Sequence, residues 1–413
     1  MSKRSMSKIA VTGCGCICAA GADTDAVWRA IQAGLVNNRA DSNHLFLERE
    51  DVPVFAVPHL ALPAIFAEAV AERAAGGELN RTIILTLTAV AEAIGAANLT
   101  VAQLRTKRVG IALGTTVGCT FNNEDYYIQW QKGESPDPGP VHRYLSANLA
   151  ERVQDILGVR GPRAVVTNAC ASGTDAIGLA KMWLDHDLCD LAIAGGADEL
   201  SRIACQGFNS LMLVSQNSCT PFGAKRDGLN LGEGAGILCL EKEAEATASQ
   251  REIKGWVCGY GAANDAYHPT APHPEGRGLQ DAVSQALAAA GLGLADISLI
   301  NAHGTGTPAN DRAETAALSA LGLGEETTPI VSTKGATGHT LGAAGGIEAV
   351  LTLLALGSGK VSGTIGCHTP DPELAVPVLS AGEEARLSGR MGISQSLAFG
   401  GGNSALVLEG GGP

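Results

Sequence analysis

Short apolar runs of strand length occur at 9–12, 109–113, 164–166, 191–194, 297–300 and 405–408, each bounded by Gly, Asn or Asp. Between them the apolar positions recur with helical spacing, predicting helices over 25–33, 82–97, 144–157, 172–184, 279–290, 311–321 and 342–356. Strands alternating with helices predict an α/β fold with mainly parallel sheets covered on both faces. The stretch 241–254, EKEAEATASQREIK, is the most charged connection near the middle. On either side stands the same sequence of signals: a short strand, a loop with a reactive side chain, and a Gly/Ala-rich helix. AVVTNACASGTDAIGLA carries it in the first half and PIVSTKGATGHTLGAAGGIEAV in the second. Two readings fit, an internal duplication with halves at 1–250 and 251–413, or the ordinary likeness of any two βαβ units.

Composition narrows the function. The chain has 413 residues, 29 basic and 42 acidic side chains and a net charge of −13. At roughly 150 residues per domain it holds two or three units or one large body with an ample core. Its acidity removes the long-range attraction to phosphates, so nucleic acid is set aside. Few aromatics (4%) beside 53 Gly suit tightly packed layers of helix on sheet. Eleven scattered cysteines form no disulfide framework, which predicts a reducing, cytoplasmic setting. The opening residues imitate a signal peptide, but their Gly-broken run reads as a buried first strand. The most apolar stretch, 341–357, is interrupted by Glu348, so no membrane insertion is expected.

Candidate chemistry gathers at three side chains. Cys170 falls between a strand and a helix, where the helix dipole and free backbone N–H groups favour a thiolate. His303, in NAHGTGTP, and His339, in STKGATGHTLGAAGG, each follow a short strand in a loop of small residues that lets a substrate approach. Cys14, Cys16 and Cys18 share one face of a strand but lack a fourth ligand nearby, so they read as packing, and no metal is predicted.

Five segments, in order and spacing, resemble the signatures of β-ketoacyl-acyl-carrier-protein synthases: VTNACASGTDAIG around Cys170, PFGAKRDGLNLGEGAG at 221–236, NAHGTGTPANDRAE at 301–314, STKGATGHTLGAAGG at 332–346 and LAFGGGNSALV at 397–407. The wording is most similar to the elongating type II condensing enzymes, not to the initiating kind, which pairs one His with an Asn. The resemblance implies a thiolase fold, a five-layered α-β-α-β-α body of two pseudo-duplicated halves, assembled as a homodimer or as a heterodimer with a paralogue. It implies decarboxylative Claisen condensation of an acyl-enzyme thioester with malonyl-acyl-carrier protein, in fatty-acid or specialised polyene or polyketide synthesis. No cofactor is implied beyond the phosphopantetheine arm of an acyl carrier protein, which delivers the substrates.

By motif, Cys170 would be the nucleophile, and His303 and His339 would hold the malonyl thioester. Lys334 and Glu314 would form an ion pair beside them, and Phe399 would be a mobile gate. Thr305 and Thr307 would bind the pantetheine arm or satisfy their own loop, and Thr270 would be a further contact. Gly223 replaces an acidic residue of the pattern and Gly402 a Thr, removing a charge near the gate and adding freedom beside Asn403. Arg73, Arg105, Lys107, Arg108, Lys132 and Arg202 are candidate docking charges for an acidic carrier, or simply solvated. Phe121, Tyr126, Tyr127 and Trp130 would shape an acyl pocket or pack at an interface. A catalytically silent chain-length partner of a ketosynthase would share the fold without the nucleophile. A thiolase would need a second Cys near 396–404, and a papain-like hydrolase has no place for the two His loops.

Overall fold

Ten strands form one sheet: β1 (Ile9–Cys18), β2 (Val109–Gly114), β3 (Arg163–Val166), β4 (Leu191–Asp198), β5 (Gly234–Lys242), β6 (Gly255–Asn264), β7 (Ile297–Asn301), β8 (Ile330–Val331), β9 (Met391–Leu397) and β10 (Gly402–Gly410). This computed structural model describes residues 8–412 except 42–44, 47–50, 74–78, 117, 119–122, 147 and 324–327, so Phe121 and the side chain of Arg73 lie outside the described residues. The spatial order is β8-β7-β9-β10-β6-β1-β5-β4-β2-β3. Read outward from the middle, β1-β5-β4-β2-β3 and β6-β10-β9-β7-β8 follow the same internal order. Among the described residues the two sets pair strand to strand only between β1 and β6, from Ile9 opposite Val257 to Val11 opposite Gly255.

The expectation of mainly parallel pairing is corrected: four pairings are parallel and five antiparallel. Every antiparallel pair includes β5, β6 or β9. Gly, Ser or Gln breaks the apolar run in β6 and β9, so a search for continuous runs passes them over, and the ILCL run of β5 does not by itself tell antiparallel from parallel pairing.

Five layers follow from which faces are apolar. The helix Arg81–Ala96 covers the outer face of the first set, and Arg277–Ala290 and Pro308–Ala320 cover that of the second. Helices Ser172–Asp185 and Ala344–Ser358 lie between the sets. The helical span Leu341–Ser358 is apolar and long enough to cross a membrane, but 83% of it is buried inside the protein. The helix expected over 144–157 is instead two, Gly139–Ser146 and Leu149–Leu157. Asn148 caps the second, its side chain accepting from the Glu151 N–H while Glu151 reaches back to the Asn148 N–H.

β1 shows how two faces of one strand are used. Cys14, Cys16 and Cys18 point into the central core. Gly13 and Gly15 face the other way, inside the strand and not in the loop that follows it. A Cβ on them would sit 2.0 Å from the Ala93 carbonyl oxygen and 1.9 Å from that of Ala89, so only Gly admits the Arg81–Ala96 helix at this distance.

Candidate active site

Cys170 sits in a single 3₁₀ turn, Ala169–Ala171, between β3 and the Ser172–Asp185 helix. Ala169 has φ +43°, a left-handed conformation that disfavours any side chain. The turn is held by its surroundings. Thr116 Oγ1 and Ser172 Oγ donate to the Ala169 carbonyl at 2.9 and 2.6 Å, and the Asn168 N–H donates to Ser172 Oγ at 2.8 Å. No side chain caps the helix start, which leaves its N–H groups available beside the sulfur.

Around the sulfur the structure adds a base to what the sequence predicts. His339 Nε2 is 3.0 Å from Cys170 Sγ, and the Phe399 N–H donates to the same sulfur. Burial pushes the thiol up to about 12, with Lys334 pulling the other way. Burial, reinforced by the Lys334 charge, holds His303 and His339 well below the usual imidazole range. The resting site is therefore a neutral thiol against neutral imidazoles, and the thiolate forms as the proton moves.

His303 follows β7, and His339 follows the short helix Lys334–Thr337. Their rings lie 5.2 Å apart at 85°, both 2% exposed. One atom of each of Cys170, His303 and His339 falls within 4.8 Å of the others. Lys334 Nζ donates to the His303 carbonyl at 2.5 Å and lies 3.3 Å from His303 Nδ1. An ammonium can only donate, so Nδ1 accepts and the ring proton sits on Nε2, facing the cleft.

The expected Lys334–Glu314 ion pair is corrected. Lys334 pairs with Glu348, the acid that interrupts the apolar central helix. Glu314 instead accepts the backbone N–H groups of His303 (2.5 Å) and Gly304 (2.8 Å) and the side-chain amide of Gln395 (2.7 Å). It shapes the His303 loop, while Lys334 sets the ring. Burial raises both carboxyls to about 7.

A cleft of about 790 Å³ reaches these groups from the surface. Cys170, His303, His339 and Phe399 line it, and Thr305, Thr307 and Thr270 stand along it. Thr305 and Thr307 also hydrogen-bond each other through their hydroxyls at 2.9 Å, so they serve loop and cleft together. Lys334 and Glu314 stand behind the reacting groups. Phe208, not singled out in the sequence, stacks on Phe399 with ring centroids 5.1 Å apart and lies 6.2 Å from the His339 ring. Its signal was absent, since a lone Phe in a helix reads as core.

The aromatic cluster is elsewhere. Tyr126, Tyr127 and Trp130 lie on the Glu124–Gln131 helix, which has no fully buried residue, and none lines the cleft. Two of the candidate docking charges are already paired, Arg202 with Glu124 at 2.8 Å and Arg108 with Asp190 at 2.6 Å.

Comparison with known proteins agrees with this geometry. The family profile described as "Beta-ketoacyl synthase, N-terminal domain" matches residues 6–246, and "Beta-ketoacyl synthase, C-terminal domain" matches 254–368. The chain is 33% identical to the 3-oxoacyl-[acyl-carrier-protein] synthase 2 of Staphylococcus aureus, over 97% of this chain and 98% of that protein. The ishigamide ketosynthase/chain length factor superposes with a TM-score of 0.89 at 28% identity, covering 98% of this chain and 100% of that one. A type II polyketide ketosynthase solved with its acyl-carrier protein and bound to the hexaketide superposes with a TM-score of 0.86 at 25% identity, covering 98% and 100%. By these matches and by the Cys-His-His cleft they accompany, the chain belongs to the beta-ketoacyl synthase family.

Proposed function

We propose that the chain is an acyltransferase that joins an acyl group to a malonyl unit with loss of carbon dioxide, releasing a 3-oxoacyl-carrier protein. The observation that carries this reading is the convergence of Cys170, His303 and His339 within 4.8 Å at the end of one cleft. First, Cys170 sulfur bonds to the acyl carbonyl and the carrier's C–S bond breaks. His339 Nε2, 3.0 Å from the sulfur, conveys the proton to the departing carrier thiolate. Malonyl-carrier then enters. Its carboxylate carbon–carbon bond breaks, carbon dioxide leaves, and the electron pair spreads to the thioester oxygen as an enolate. His303 Nε2–H, oriented by Lys334, donates to that oxygen, and His339 adds a second contact. One such donor is typically worth roughly 3 kcal/mol. The carbanion attacks the acyl carbonyl. The Cys170 and Phe399 N–H groups hold the new oxyanion until the C–S bond breaks, and the released thiolate takes up a proton from solvent by way of His339 Nε2.

The partner in this reading is an acyl carrier protein whose phosphopantetheine arm passes Thr270, Thr305 and Thr307. A dimer, with a second copy or a paralogue, is supported by β3. Among the described residues this edge strand has no neighbour on its outer side, and Ala164, Val165 and Val166 are only half-buried. The silent-partner reading is disfavoured by the intact contact between His339 and Cys170. A reducing compartment suits the chemistry, and the ten described cysteines are all free.

Mass spectrometry of the protein after incubation with a panel of acyl-carriers tests the reading. Cys170 gains the acyl mass in the parent and not in Cys170→Ser, and malonyl-carrier then discharges it. Loading on another residue, or none from any donor, contradicts it.

A further inference from the structure

Behind Cys170 lies a polar cluster that the chemistry above does not use. Asp175, one turn into the Ser172–Asp185 helix, accepts from Asn168 Nδ2 at 2.7 Å, from the Tyr260 hydroxyl of β6 at 3.0 Å and from Ser404 Oγ of β10. A carboxylate only accepts, so the Asn168 amide nitrogen must face it and the amide oxygen must face away. Gly402 packs against the same amide. A Cβ at 402 would lie 2.8 Å from Asn168 Oδ1 and 3.0 Å from Nδ2.

Gly402 has φ −68° and ψ 132°, an ordinary extended conformation open to any residue. The extra backbone freedom expected from the sequence is therefore not what Gly supplies. It supplies room for the Asn168 side chain.

Asn168 precedes the strained Ala169–Cys170 turn, and Gly402 follows the Phe399–Gly401 turn whose first N–H donates to Cys170 Sγ. The two turns that frame the sulfur thus touch through this one side chain. We infer that Asn168, held by Asp175 and admitted by Gly402, is a positioning residue that sets the nucleophile's turn against the Phe399 oxyanion donor. The inference deepens the condensing-enzyme reading and rests on it for the role of the sulfur. Any side chain at 402, the Thr of the family pattern included, pushes the Asn168 amide away from Asp175. Asn168 and Gly402 are then a matched pair, each costly to change alone. A displacement of about 1 Å at a nucleophile costs on the order of 10²-fold in rate.

The test is a cycle of parent, Gly402→Thr, Asn168→Ser and the double variant, with three readouts on each. These are acyl loading on Cys170 from acyl-carrier, alkylation of Cys170 by iodoacetamide mapped by mass spectrometry, and carbon dioxide release from malonyl-carrier by protein already loaded to completion. Gly402→Thr is expected to slow loading by on the order of 10²-fold and alkylation in the same direction, with decarboxylation at the histidines within about 2-fold of the parent. In the Asn168→Ser background, where the amide is gone, the same change is expected to cost less than about 3-fold. If Gly402→Thr does not fold, Gly402→Ala carries the same cycle with a smaller side chain. An equal loss in both backgrounds, no loss at all, or a parallel fall in decarboxylation overturns the pairing. Should the parent fail to load any acyl group, the functional reading falls, while alkylation still decides whether Asn168 and Gly402 are coupled.

Discussion

Glu314 and Glu348 are buried acids of one site, the first on an outer helix and the second on a central one, and their partners give them different work. Glu348 offsets the charge of Lys334, which is itself 1% exposed. Truncating one partner of such a pair leaves an uncompensated charge, so Glu348→Ala should lower unfolding stability by about 3–5 kcal/mol, measured by denaturant titration. A change below about 1 kcal/mol would show that Lys334 is held otherwise. Every hydrogen bond given to Glu314 is one it accepts, so the His303 loop needs its anionic form. With its pKa raised to about 7, the ionised fraction falls as pH drops through that value. Condensation should therefore rise with pH through about 7, and a Glu314→Gln variant should be slower and lose that limb. A parental rate flat across this range would contradict the assignment. At this scale the sequence shows which residues matter better than it shows their pairing. The motifs single out Cys170, His303 and His339, which the structure brings together at one cleft, because the flanking glycines and threonines mark loops open to approach. The choice between Glu314 and Glu348 for Lys334 depends on how a central helix lies against a strand end, which no local pattern encodes.

At the scale of elements, β1, β2, β4, β7 and β10 were legible because they are buried and carry short apolar runs, whichever way they pair. β6 and β9 were not, since Gly, Ser and Gln interrupt the run. Gly259 and Gly261 of β6 show why, for a Cβ on either would lie 2.1 Å from a carbonyl oxygen of the Arg277–Ala290 helix. Gly15 in β1 makes the matching prediction. A Val there would meet the Ala89 carbonyl and force the Arg81–Ala96 helix outward, costing about 3 kcal/mol or more. Thermal unfolding of Gly15→Val measures it, and an unchanged midpoint would mean that the helix can retreat freely.

Over the whole molecule, the repeated strand order places Cys170 on one five-strand set and both histidines and Phe399 on the other. The site is thus made where the sets meet, with the two central helices as their common wall. That arrangement explains why the nucleophile and its partners stand so far apart in sequence, and why sequence motifs name them without showing their distances. Under the proposed mechanism the two histidines then differ in their neighbours: His339 lies against the sulfur, whereas His303 is held by Lys334 with its Nε2 toward the cleft. The most direct test is carbon dioxide release from malonyl-carrier by His303→Ala, read beside acyl loading on Cys170 in the same sample. The account predicts that the variant loads its acyl group as the parent does and then stalls, with decarboxylation down by on the order of 10²-fold or more. Carbon dioxide release at the parental rate from that variant would contradict it.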